Sequence, residues 1–428
     1  MNFKKYFYED DKKYRNLIIF LMFLMIVISS VLAISKGDYF LLGDPAKLNN
    51  DDVRYLNTAR VLLNEGKLIY YGSKPTTFIM PLFPLFLSGV MSIFGTSEGG
   101  LLAIKIVQAF MQGISLYIVY LLGRELFNKK IGTIAAIITA LYLPEYMAAN
   151  LILTEVLFKF LFMLLFYFAI IAIKENKMLP YIITSVLWVL TSLIRPNVAS
   201  FPLFIVIFWI IYKYKFKDMC KYTLVAFIAF TICFAPWWIR NMNLRGEFVL
   251  FTESSANPKL IGAFIFNREP SFKNEIDPEY KGLYDKRIAK KYMSEEQQNK
   301  LGNYLIKTGF KKEPLKYTAW YSLGKTYTMY RDPYYWRPVL GVSKPVMYVW
   351  HILIVLTSIV GIVLMCLKKN RSKSNAMILV LLAISTITCW PFVTFSRYGY
   401  PNMFMVILIA SYAVYQITLK LSNYKLKK

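Results

Sequence analysis

The sequence predicts an all-α polytopic membrane protein with about ten transmembrane helices (range 9–13), cytoplasmic termini and juxtamembrane helices in the first external loop. Composition comes first: 57% of residues are hydrophobic, 17% are aromatic and the mean hydropathy is +0.42. Soluble globular chains rarely look like this. Second, stretches such as Leu17–Ile34, Val346–Leu367 and Met403–Leu419 are long enough to cross about 30 Å of hydrocarbon. Third, lysines and arginines flank these stretches, as they do at the cytoplasmic ends of membrane helices. Lipid leaves no water for the backbone, so each crossing must be a helix that satisfies its own amides.

The formal net charge of +26 would suggest nucleic acid in a soluble protein. Here the basic residues border hydrophobic segments, where they set topology and meet anionic lipid, so no nucleic-acid partner is expected. Cys220, Cys233, Cys366 and Cys389 have no CxxC spacing and give neither a metal nor a disulfide signal. One histidine, His351, cannot build a His-based triad or zinc cluster, which nearly excludes His-dependent hydrolase chemistry.

The first helix follows Lys4, Lys5, Lys12, Lys13 and Arg15, like a retained signal anchor with its N-terminus inside. Further cytoplasmic markers are Arg124–Lys130, Lys174–Lys177, Lys213–Lys221, Lys368–Lys373 and Lys425–Lys428. Between them lie ten candidate spans: 17–35, 101–122, 131–147, 151–173, 179–194, 197–212, 220–239, 346–367, 376–393 and 401–419. The apolar segment 78–94 breaks this parity if it crosses, because Arg124–Lys130 would then face outside. It is therefore expected to lie against the outer face, with Pro81 and Pro84 at an irregular helix start. The chain then divides into an N-terminal transmembrane catalytic module, 1–240, whose first external loop is 36–100. An external loop or lid follows at 241–345, with a surface helix over Glu295–Lys312 and an aromatic run, Tyr327–Trp336. C-terminal transmembrane helices occupy 346–428.

The external side carries the candidate chemistry. Asn50 is a good N-cap and Gly66 a plausible C′ residue, so 51–65 reads as an amphipathic interfacial helix with Leu56, Ala59 and Leu63 on one face. Asp51 and Asp52 open it, followed by Arg54 and Tyr55. Acids in a first turn can simply complement the helix dipole, but a carboxylate at the membrane surface can also serve as a base for a lipid-borne substrate. Glu155, in Thr154-Glu155, stands at the outer end of a span, where an ionisable group is costly. The plain alternative is an acid that snorkels to the interface; Glu145 nearby is a weaker signal. Arg195, Arg240 and Arg397 lie at outer helix ends, which the positive-inside rule disfavours, and Lys74 precedes Pro75. Head-group anchoring would explain each cation singly. Together they suggest an anionic ligand, and a lipid-linked phosphate suits the bidentate fork of arginine.

These residues resemble the GT-C superfamily of membrane glycosyltransferases, closest to the branch with protein O-mannosyltransferases and lipid A aminoarabinose transferases. Asp51-Asp52-Val53-Arg54-Tyr55 followed by Ala59 is similar to that family's acidic pair in the first external loop. Lys74-Pro75 with Pro81–Pro84 is similar to its Lys-Pro-Pro-Leu segment, although the match is interrupted. Thr154-Glu155, Leu193-Ile194-Arg195-Pro196, Pro236-Trp237-Trp238-Ile239-Arg240-Asn241 and Arg397-Tyr398-Gly399-Tyr400-Pro401 resemble further signatures, and the likeness runs along nearly the whole chain.

The resemblance implies inverting transfer of a sugar from a polyprenyl-phosphate donor to a glycan, lipid or protein acceptor outside the membrane. Asp51 would be the base, with Asp52 and Glu155 orienting the acceptor or holding Asp51. Arg240, Arg397, Lys74 and Arg195 would bind the donor phosphate, and Arg54, Tyr55 and Tyr398 would support the site. Members differ in metal use, so no metal site is carried over; no cofactor is assigned and a divalent metal stays open. The Lys-, Ile- and Tyr-rich composition hints at a bacterium and undecaprenyl phosphate as carrier. Rivals are a transporter or flippase, a polymerase of the same fold, and a non-catalytic subunit of envelope glycan assembly. A transporter should show internal repeats and broken mid-membrane helices, and neither stands out.

Overall fold

The computed structural model describes residues 3–367 and 370–425. Every regular element among them is helical, and the one β pairing is an isolated bridge between Val339 and Val342. In order these are α1 (Phe3–Phe7), α2 (Lys12–Lys36), α3 (Asp51–Glu65), α4 (Leu82–Phe94), α5 (Glu98–Leu126), α6 (Lys129–Ala140) and α7 (Pro144–Ala149). Next come α8 (Glu155–Glu175), α9 (Met178–Ser192), α10 (Phe201–Ile211), α11 (Phe216–Arg245), α12 (Ala256–Gly262), α13 (Pro278–Ile288) and α14 (Glu295–Lys312). The chain closes with α15 (Pro314–Ala319), α16 (Lys325–Tyr330), α17 (Lys344–Cys366), α18 (Lys373–Ile387), α19 (Ser396–Gly399) and α20 (Met403–Lys425).

Six of these helices are long and apolar enough to span a membrane: those over Lys12–Phe40, Glu98–Leu126, Glu155–Glu175, Phe216–Arg245, Lys344–Cys366 and Ser396–Ser422. The chain is a multi-pass membrane protein. Four other expected spans correspond to shorter elements. Segments 179–194, 197–212 and 376–393 form short apolar helices. The single helix expected over 131–147 is instead split: α6 stops at Ala140 and Pro144 starts α7 at its N1 position, where the missing proline N–H is not needed.

The basic turns gather on one face. Glu9 accepts from Lys129 at 2.6 Å and lies 3.6 Å from Arg124. Lys5 pairs with Glu175, and Lys174 with Glu125 at 2.8 Å. Tyr222 donates to the Asn176 side chain, and Lys373 lies over the Tyr212 ring. At the opposite face Lys105, early in α5, donates to the Gly37 carbonyl at the end of α2. Thus α2 and α5 are antiparallel neighbours, and α4, which lies between them in sequence, starts and ends on that opposite face without crossing. Lys368, Lys369 and residues 426–428 of the expected basic markers lie outside the described residues.

The bundle core runs through α2, α5, α6, α8 and α20. Glycines let α5 and α6 approach closely: a Cβ on Gly123 would sit 2.5 Å from the Gly132 Cα. On the face opposite the basic turns the segment after α11 has a small core of its own, with Leu260, Phe264, Tyr284, Leu301, Leu305 and Tyr317. Its α14 coincides with the expected surface helix and begins with a Ser294–Gln297 capping box. Lys325 bolts this segment to the bundle, donating to the Trp390 and Phe392 carbonyls at 2.6 and 2.8 Å.

Replacing Gly123 by leucine should force α5 and α6 apart and cost about 1–3 kcal/mol. Thermal unfolding of the detergent-solubilised protein should show a lower midpoint, and an unchanged midpoint would argue against this contact.

Candidate active site

The site starts at α3. Asn50 caps it, its side chain accepting from the Asp51 amide at 2.7 Å, and Gly66 ends it in the left-handed region at φ 68°. Val53, Leu56 and Ala59 are buried. Leu63, expected on that face, is exposed because the last turn runs out of the packed surface. This orientation separates the two acids. Asp52 is fully buried and accepts from the backbone amides of Leu42 at 2.5 Å and Gly43 at 3.4 Å. Asp51 turns the other way, accepting from the Tyr70 hydroxyl and from Arg397 Nη1, each at 2.7 Å, with its side chain 36% exposed.

Arg397, on the short helix α19, is the hub. Its Nη1 serves Asp51 while its Nε donates to Glu155 Oε1. Glu155, at the first position of α8, is 1% exposed, and the same Oε1 also accepts from Arg195 Nη2. Pro196 favours an extended backbone at Arg195 (φ −144°, ψ 123°). That guanidinium reaches Thr154 Oγ1 at 2.8 and 2.6 Å and lies over the Phe158 ring. Two carboxylates and two guanidiniums thus form one neutral cluster. Arg195 Nη1 and Arg397 Nη2 make no hydrogen bond to any described residue.

Burial alone would raise the Asp51 carboxyl, but Arg397, the Tyr70 hydroxyl and Arg54 together hold it below its ordinary value. Tyr70 goes the other way: burial pushes its hydroxyl well up, and Tyr55 and Asp51 add to the rise, so it stays a proton donor. Tyr55 is buried with its ring 5.1 Å from Tyr70 and 5.0 Å from Phe83. Arg54 lies over Tyr71. Tyr398 joins Phe158, Phe162, Phe201, Leu381 and Ile384, with the polar Asn197, Ser385 and Thr388, in lining a narrow, largely apolar cleft between α8, α10 and α18. Phe158 and Tyr398 also flank the arginines, so the cleft opens beside the cluster.

Two expected phosphate ligands stand elsewhere. Arg240 donates to the Thr76 carbonyl at 2.8 Å and to Asn241, and stacks over Trp237. Lys74 is exposed two residues away from Thr76 and forms no ion pair with a described residue. Neither bonds to the Asp51–Arg397–Glu155–Arg195 cluster. Sequence reasoning missed Tyr70, which no local pattern distinguishes from Tyr71. It also missed Tyr334, which is 1% exposed and stacks on Tyr400 at 4.8 Å; only its place in the aromatic run hinted at a role.

A divalent metal fits poorly. Among the described residues no three of His, Cys, Asp and Glu come together as ligands. Asp51 and Glu155 both turn oxygens toward fixed guanidinium charges, which a dication would oppose. No step is therefore routed through a metal.

The architecture is shared with solved oligosaccharyltransferases. Residues 73–239 match the family model described as dolichyl-phosphate-mannose-protein mannosyltransferase. That stretch holds Lys74, Glu155 and Arg195 and ends just before Arg240. Among solved structures, the apo oligosaccharyltransferase of Archaeoglobus fulgidus aligns at 16% identity with a TM-score of 0.59, covering 97% of this chain and 52% of that one. The same organism's oligosaccharyltransferase AglB, in complex with an inhibitory peptide and a dolichol-phosphate, aligns at 16% identity, TM-score 0.58, with the same coverage. ArnT from Cupriavidus metallidurans, bound to undecaprenyl phosphate, aligns at 11% identity and TM-score 0.43, covering 92% and 77%. This chain spans about half the length of the oligosaccharyltransferases it matches. No curated protein matches it by sequence.

The two neighbouring acids should behave differently on substitution. Asp52→Ala leaves the part-buried amides of Leu42 and Gly43 unpaired and should destabilise the fold by about 1–3 kcal/mol. Asp51→Asn should leave unfolding midpoints nearly unchanged. Parallel thermal melts of the two variants check this, and equal losses would contradict the assignment.

Proposed function

We propose that this protein is a membrane glycosyltransferase that moves a sugar from a polyprenyl-phosphate donor to an acceptor on the extracytoplasmic side, by inverting displacement. One observation carries the reading. Asp51 is the only member of the cluster with a substantially exposed carboxylate, it is kept ionised by Arg397, and it stands beside unused guanidinium edges and an apolar cleft. The prenyl chain enters from the bilayer at the narrow cleft between α8, α10 and α18, which widens to take it, with its phosphate at the mouth. The acceptor's nucleophilic atom attacks the anomeric carbon as Asp51 takes its proton. The bond between that carbon and the phosphate oxygen breaks, and the pair of electrons leaves with the polyprenyl phosphate. Arg397 Nη2 and Arg195 Nη1 meet the growing negative charge, where such help is most effective. Glu155 holds both arginines in place, and Asp52 fixes the start of α3. Arg240 and Lys74 serve the donor's outer part.

The gathering of basic turns on one face supports a topology of about ten spans with cytoplasmic termini, which puts the cluster outside. In this reading 1–240 is the catalytic module, 241–345 the lid and 346–428 the closing helices. Undecaprenyl phosphate is the carrier that the composition favours.

The test is release of polyprenyl phosphate by purified protein from a panel of polyprenyl-phosphate sugars, with envelope lipids, glycans and proteins as acceptors. Wild type should release it, and Asp51→Asn should be slower by about 10²–10⁴-fold. Equal release by both would remove Asp51 from the role of base. Substrate movement without bond cleavage would replace the transferase by a transporter.

A depressed Asp51 pKa also fixes a pH profile. The carboxylate form is the active one, so kcat/KM should fall only below the ordinary aspartate pKa of about 3.9. Arg397→Gln removes the cation that favours ionisation, so the acid limb should move to higher pH. A limb that stays in place would show that Arg397 does not set the base.

A further inference from the structure

One turn below the cluster the bundle holds a second charged pair that the transfer chemistry does not use. Lys159 and Glu145 are 2% and 3% exposed at their side chains and form a direct ion pair. The Tyr400 hydroxyl completes it. It donates to Glu145 Oε2 at 2.8 Å and accepts from Lys159 Nζ at 3.1 Å and from Gln112 Nε2 at 2.7 Å. A hydroxyl has one proton and two lone pairs, so this oxygen is fully used. Gln112 also holds the Glu145 carbonyl at 3.0 Å, and the ammonium of Lys159 lies 4.8 Å from the Tyr400 ring centre.

The placement is regular. Glu155 and Lys159 are four apart on α8, hence neighbours on one helix face. Arg397 and Tyr400 are three apart across α19 and the turn that follows it. Glu155 meets Arg397, and Lys159 meets Tyr400, so two rungs join α8 to the segment 396–402. Tyr334, stacked on Tyr400, closes the space between the rungs and the lid loop. Buried ion pairs are costly, and an apolar set of equal volume would often be at least as stable. An ionisable pair inside a membrane bundle therefore calls for a role in placement.

We propose that Lys159, Glu145 and Tyr400 are positioning residues: their rung sets the depth and rotation of the 396–402 segment, and so holds Arg397 against Asp51. The consequence for rate rests on the transferase reading, whereas the placement itself does not. When the rung is broken the segment turns, Arg397 leaves Asp51 and the base weakens; the cleft shifts with it, because Tyr398, Pro401 and Asn402 of the same segment line it.

The experiment keeps these two claims apart. In a background without the four native cysteines, Asp51→Cys places a thiol beside Arg397, and its ionisation is read from alkylation rate against pH. The thiol should titrate below the ordinary value of about 8.5 because of the guanidinium. Adding Arg397→Gln should return it toward that value. Adding Tyr400→Phe should raise it by about one pH unit, a tenfold loss of thiolate near neutrality. The pair Lys159→Met with Glu145→Met removes both charges together and serves if Tyr400→Phe folds poorly. In the native-site protein, Tyr400→Phe should lower kcat and shift the acid limb upward. A thiol that titrates unchanged in both rung variants, while Arg397→Gln raises it, would overturn the proposal. If wild type transfers no sugar from any donor, the transferase reading falls, and the thiol titration still decides the rung.

Discussion

Arg397 holds the site together. Its fork joins Asp51, 346 residues earlier, to Glu155, 242 residues earlier, so one side chain ties the outer helix α3 to the bundle helix α8. The planar guanidinium is suited to this, because its separate N–H groups can serve two carboxylates at fixed angles. A lysine would offer the same charge without that geometry. The surrounding features follow from this constraint. Asp52 secures the start of α3, Pro196 aims Arg195 at the same carboxylate, and Gly399 lets the helix carrying Arg397 press against the lid. A Cβ there would lie 2.2 Å from the Met329 carbonyl oxygen.

Burial divides the labour among groups of similar chemistry. Glu155 is closed off and carries two guanidiniums, which suits a fixed counter-charge. Asp51 keeps an open side and a single arginine, which suits a group that must exchange a proton with an incoming molecule. The cluster is neutral in total, so in the proposed transfer an arriving phosphate would meet guanidinium edges that are already oriented rather than a loose positive patch. Such preorganisation costs no rearrangement when charge develops.

Much of this was legible in the sequence because it is written locally. Asn50 and Gly66 mark both ends of α3, and the capping pattern at Ser294 marks α14. The parity of basic turns predicted that 78–94 lies against the outer face, and α4 is a 13-residue helix between the antiparallel α2 and α5. Arginines at outer helix ends broke a general rule, and two of the three, Arg195 and Arg397, meet at the cluster. What stayed hidden depends on contacts distant in sequence. Asp51 and Asp52 are adjacent and chemically alike, and only the path of residues 41–43 decides which one is enclosed. Tyr70 is one of 32 tyrosines and nothing in its neighbours marks it, while Tyr334 in the aromatic run and Tyr400 in the Arg397–Pro401 motif gave no sign of the partners they take. Lys159 did carry a signal, a lysine four residues after Glu155 within an apolar helix. The break between α6 and α7 was foreshadowed by Pro144.

A structure of the protein bound to a polyprenyl phosphate tests the central claim most directly. The account predicts the phosphate within hydrogen-bonding distance of Arg397 Nη2 and Arg195 Nη1, with the prenyl chain along Phe158, Phe201 and Leu381 and Asp51 facing the space above. A phosphate seated at Arg240 and Lys74 instead, with the cleft empty and the cluster unchanged, would contradict it.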